Sequence, residues 1–120
     1  MPYYGQLLFA LQSLDNGALY HRNGKASPQF LVRPFALALV ELRESMSNQI
    51  LKLRNLNRAA EIAMDIYKVE QRMQALGLTR QVSSMVHTIE RQREFESKTR
   101  ALCLMKDVAY EIAGRTPTKG

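Results

Sequence analysis

Four groupings of side chains have the residue types and spacing to do chemistry. Glu61 and Asp65 stand four residues apart, and His87 stands three before Glu90 and within one helical turn of Ser83 and Ser84. On a helix such pairs share a face, which is the first requirement for paired-carboxylate or Ser/His work. Neither has a third group in register to orient the base, so the pairs read as surface charge and helix-terminal hydroxyls, and no catalytic residue is assigned. Cys103, flanked by Leu102, Leu104 and Met105, reads as a buried structural thiol. No metal site is expected: His87 has Ser84 where a di-iron bundle needs Glu, and His21 lies in a turn-rich stretch. Gly24-Lys25-Ala26-Ser27 is too short for a phosphate loop, so no cofactor is expected either.

The fourth grouping is the most extended. If residues 34–76 are one helix, then Arg43, Ser47, Arg54, Arg58, Glu61, Asp65, Lys68 and Arg72 fall within an arc of about 80°. Arginine forks suit phosphate oxygens. Arg91, Arg93 and Arg100 continue the basic character in the following segment. These eight cations, Arg43, Arg54, Arg58, Lys68, Arg72, Arg91, Arg93 and Arg100, are the expected nucleic-acid-binding set, with Arg54 and Arg58 at its centre. The expected ligand is duplex RNA or DNA held by its backbone, without sequence reading.

The whole chain has 120 residues, with seventeen Lys+Arg against eleven Asp+Glu, a net +6. That charge makes an acidic partner reasonable. A mixed-sign stripe is also an ordinary solvated helix face, and Glu61 and Asp65 would repel phosphate. The alternative is therefore a helical protein–protein interaction module, an adaptor, chaperone or virion component, acting through apolar seams and Met-rich positions.

The elements that must carry these residues follow from punctuation. Asn16-Gly17 and Asn23-Gly24 are turn signals, so residues 1–33 read as a short N-terminal helix and loop, with a small hairpin through 18–22 as the other possibility. Between Pro34 and Gly77 lie 42 residues without Gly or Pro, rich in Leu, Ala, Met, Glu, Arg and Gln. They predict one helix, 34–76, about 60 Å long. Gly77-Leu78-Thr79 supplies a C′ glycine and a Thr N-cap, and a second long helix is expected over 79–113, with 115–120 as a tail. The fold class is all-α: an antiparallel helical hairpin over 34–114, crossed by residues 1–33.

Two apolar seams mark the first long helix. One holds Phe35, Leu39, Leu42, Met46, Leu53, Leu56, Ala60, Met64 and Tyr67; the other holds Leu51, Ile62, Ile66, Val69, Met73 and Leu76. Two stripes on one helix call for two neighbours. A homodimer through Leu51, Ile62, Ile66, Val69 and Met73 satisfies that count; a monomeric three-helix bundle with residues 2–14 on the second seam satisfies it too. In the second long helix the apolar face shifts from Val82, Met85, Val86 and Ile89 to the nearly opposite Phe95, Leu102, Met105, Ala109 and Ile112. The helix must change partners within 90–100.

One cysteine permits no internal disulfide, and the longest apolar run, Phe35 to Val40, is far short of the roughly 20 residues of a membrane span. With no basic n-region before Arg22, a cytoplasmic location is expected, or the host cytoplasm for a viral source, without a membrane partner.

Overall fold

The computed structural model describes residues 1–17 and 28–115, all of whose regular structure is helical. Helix α1 spans Pro2–Asp15, a 3-10 turn Pro28–Leu31 leads into α2, Val32–Leu51, and α3 and α4 span Leu56–Ala75 and Thr79–Arg115. The possible hairpin at 18–22 and the turn at Asn23-Gly24 lie outside the described residues. The chain divides into two compact units, Met1–Ile89 and Glu90–Gly120.

The largest departure from the sequence reading is that residues 34–76 are two helices. Helix α2 ends at Leu51 and α3 begins at Leu56, with four residues between them. The carbonyl of Asn48 accepts from the amides of Lys52 (2.9 Å) and Leu53 (3.0 Å), and that of Gln49 accepts from the Asn55 amide (2.8 Å). Between them Arg54 takes the left-handed conformation, φ 51°. The Asn55 side chain then accepts from the Arg58 amide at 3.1 Å and caps α3. The break uses neither glycine nor proline. It relies on Asn55, whose short amide competes well for free helix-start donors.

Burial explains why a broken helix wins. Helices α2 and α3 pack on one another, and Phe35, Leu39 and Leu42 join Ile62, Ile66, Val69 and Met73 in one core. A straight helix would hold these two groups on different faces and tens of ångströms apart. Folding back at 52–55 turns each seam into half a core. The first is buried only along α2, leaving Leu53, Leu56, Met64 and Tyr67 more than half exposed; the second is buried only along α3, leaving Leu51 exposed. The buried half of each seam is thus covered by the other helix of the pair.

At the other junction the expected C′ glycine is in place. Gly77 takes φ 71°, its amide bonds to the Gln74 carbonyl at 3.0 Å, and the Leu78 amide bonds to the Met73 carbonyl at 3.1 Å. This is a Schellman motif, closed by burial of both Leu78 and Met73. Thr79 lies one residue inside α4 rather than capping it, because the Leu78 carbonyl already accepts the first helical bond, from Val82 at 2.9 Å.

The two left-handed positions make a matched test. A Cβ at Gly77 would meet nothing within 4 Å, so Gly77→Ala costs backbone strain alone, about 1 kcal/mol. Arg54→Gly relieves the same strain and should gain about 0.5–1 kcal/mol. Urea midpoints at constant slope measure both; equal destabilisation by the two would refute the left-handed turn at Arg54.

Helix α1 lies on this core through Leu7 and Leu11, both buried. Its start has no side-chain cap of its own and no acidic residue in its first turn. Glu41 of α2 supplies both: one carboxylate oxygen accepts from the Tyr4 amide at 2.9 Å, the other from the Tyr3 amide at 3.2 Å. A charge at the positive end of a helix, bonded to free donors, is a strong form of cap. In α4, Val82 and Val86 are buried and Met85 and Ile89 half-buried against the same core.

Candidate interaction surfaces

The expected phosphate-binding stripe is divided by the break at 52–55. Arg43 stands on α2, Arg54 in the turn, and Arg58, Lys68 and Arg72 on α3. Three of the five are committed to carboxylates of this chain. Arg43 pairs with Glu70 across α2 and α3 at 3.6 Å, Arg58 pairs with Glu61 at 2.8 Å, and Arg72 bonds to Asp15 at the end of α1. The Asp65 carboxylate stands near the Tyr4 hydroxyl. Three members of the stripe therefore join helices: Arg43 ties α2 to α3, Asp65 stands beside Tyr4 at the start of α1, and Arg72 holds its end through Asp15. Exposed pairs of this kind contribute about 0.2–1 kcal/mol each, so their effect is chiefly on register. Glu61 pairs within α3, so of the two carboxylates only Asp65 has a neighbour on another helix. What could have shown it is the run Asp15, Tyr4 and Glu41 on other helices, invisible until the helices are packed.

Tyr4 gives this docking a pH signature. Its hydroxyl is held above the ordinary value of 10.0, first by burial, then by the Asp65 charge and the hydrogen bond to it. A group whose pKa is raised by folding stabilises the native state below its unfolded pKa and ceases to as pH climbs through the folded one. Wild type should therefore lose stability more steeply than Tyr4→Phe above pH 10. Parallel urea-midpoint curves for the two proteins from neutral to alkaline pH would show that folding leaves the Tyr4 hydroxyl unshifted.

The self-association set is similarly redistributed. Ile62, Ile66, Val69 and Met73 are buried in the core of the Met1–Ile89 unit, whereas Leu51 is 74% exposed. Only Leu51 of the five presents itself to a partner. It lies with Ile50 and Leu56 around Arg54 in a shallow depression at the turn.

In the Glu90–Gly120 unit the described part of α4 has no buried residue. Phe95, Leu102, Leu104, Met105, Val108, Tyr110 and Ile112 are each more than half exposed, and Leu104, Met105, Val108, Ala109 and Ile112 line an almost wholly apolar groove. Cys103 is exposed, against the expected buried thiol. The shift of apolar face expected within 90–100 coincides with the boundary between the units at Ile89–Glu90. Arg91, Arg93 and Arg100 lie on this stretch, Arg91 nearly opposite Arg93 and Arg100 by helical periodicity, so they form no single stripe. Lys98 pairs with Glu94 at 3.1 Å, and Lys106 lies 5.9 Å from the centre of the Tyr110 ring.

Among the described residues no three His, Cys, Asp or Glu side chains come together as a metal site, and no helix is long and apolar enough to cross a membrane. His21 and the Gly24–Ser27 stretch lie outside the described residues. Compared with known protein families, curated proteins and solved structures, the chain matches none.

Proposed function

We propose that the chain is a helical protein–protein interaction module whose working surface is the apolar face of α4 after Glu90. The observation that carries this is the row of large apolar side chains there, each more than half in water. Exposed patches of that kind mark binding surfaces in otherwise well-packed chains. Amphipathic helices engage such partners through anchors three and four residues apart, which is the spacing of Ala101, Leu104, Met105, Val108 and Ile112.

Nucleic-acid binding is the second reading, and the net charge of +6 favours it. Against it stand the ion pairs of Arg43, Arg58 and Arg72 and the opposed directions of Arg91 and Arg93.

A photo-reactive benzoylphenylalanine placed at Met105 in the producing cells separates the two. Protein adducts that persist after nuclease treatment, and are missing when the probe replaces Lys68, are the expected result. Adducts that nuclease abolishes, together with duplex binding that falls steeply with salt and is lost in Arg91→Ala/Arg93→Ala/Arg100→Ala, would transfer the function to nucleic acid.

A further inference from the structure

Resting on that reading, we infer that the apolar face of α4 pairs with the same face of a second copy, antiparallel, with the twofold axis between Cys103 and Leu104. Positions 95, 98, 102, 105, 109 and 112 alternate in steps of three and four, the spacing of a two-helix seam, and carry Phe, Lys, Leu, Met, Ala and Ile. All of them are exposed.

The one charge in this seam decides the direction. In a parallel pair in register Lys98 would face Lys98 of the second copy, and two ammonium groups would meet in an apolar seam. Reversing the second copy about 103–104 places Lys98 against Ala109, whose small side chain leaves room for the lysine stem to reach water. The same reversal sets Phe95 against Ile112 and Leu102 against Met105, so large residues meet complementary ones all along the seam. On one flank Ala101 then faces Val108, and on the other Thr99 faces Lys106; no like charges are opposed.

The surface is large enough. Phe95, Leu102, Met105, Val108 and Ile112 are 52–69% exposed, and covering each removes on the order of 100 Å² from water. Two copies together thus reach the roughly 1,000 Å² of a specific interface. An isologous contact uses one patch twice, so no second surface of the chain is required.

Sedimentation equilibrium of the purified full chain at about 100 μM, in low and high salt, should give twice the 13.7 kDa chain mass. Leu102→Asp should return the single-chain mass and weaken association at least tenfold while the urea transition of the core stays in place, since Leu102 is 65% exposed. In a Cys103→Ser background, spin labels at Glu96→Cys should lie about 22 Å apart along the helix axis in an antiparallel pair and level with one another in a parallel one. A single-chain mass for wild type, a dimer unmoved by Leu102→Asp, or level labels would each overturn the inference. A single-chain wild type that still forms protein adducts at position 105 would remove self-pairing and leave the interaction surface standing. Absence of both would remove both.

Discussion

Ile62→Asp is expected to abolish folding of the Met1–Ile89 unit, whereas Leu51→Asp leaves it within about 0.5 kcal/mol of wild type. Both residues belong to the same seam when residues 34–76 are drawn as one helix. In the folded chain Ile62 is fully buried in the core where α2 packs on α3, while Leu51 is 74% exposed at the turn. The aspartate forfeits the transfer energy of the isoleucine side chain and leaves a cavity, together about 2–5 kcal/mol for a truncation of this size. It adds a carboxylate that must be buried without a partner or neutralised at further cost. A domain holds only about 5–15 kcal/mol in all. Loss of the cooperative urea transition in Ile62→Asp, and its retention in Leu51→Asp, is the measurement; similar behaviour of the two variants would show that the seam is shared with a partner after all.

Phe35→Ala should lower the unfolding free energy by about 3–5 kcal/mol, and Phe95→Ala by less than about 0.5 kcal/mol. Phe35 is among the largest side chains wholly enclosed by the core; Phe95 is 69% exposed on α4. The pair of phenylalanines thus separates what the chain uses to fold from what it offers outward. A comparable loss for Phe95→Ala in urea melts of dilute protein would mean that the Glu90–Gly120 unit is covered within the chain, and the interaction surface would have to be sought elsewhere.

Composition and punctuation made much of the fold readable. A leucine- and alanine-rich chain with its glycines and prolines confined to residues 1–34, to Gly77 and to residues 114–120 has few options besides long helices, and Gly77-Leu78 announced its Schellman closure. The break at 52–55 was not readable by the same rule, because Asn55 marks a helix start without stopping anything by itself, and Arg54 is a residue that left-handed backbone does not ordinarily select. Once that break is missed, every angular assignment beyond it is out of phase. Arg43 and Arg72 then look like members of one basic stripe, though they bind Glu70 and Asp15 respectively, and Ile62 looks like a contact for a partner. The face of α4 after Glu90 escaped this error, since no break precedes it between Thr79 and the seam. The exposure of Cys103 could not be read from its apolar neighbours, because an apolar stretch says only that something should cover it.

The bidentate capping of α1 by Glu41 has a consequence for the order in which the chain assembles. A helix whose start is closed only by a side chain 37 and 38 positions along the sequence cannot be stabilised there until α2 exists. Synthesis thus produces α1 before the acceptor that will fasten it, and α1 is expected to dock late, through Leu7 and Leu11. Native-state exchange would find the amide protons of Tyr3 and Tyr4 opening together with the rest of α1, ahead of those in the middle of α2 and α3.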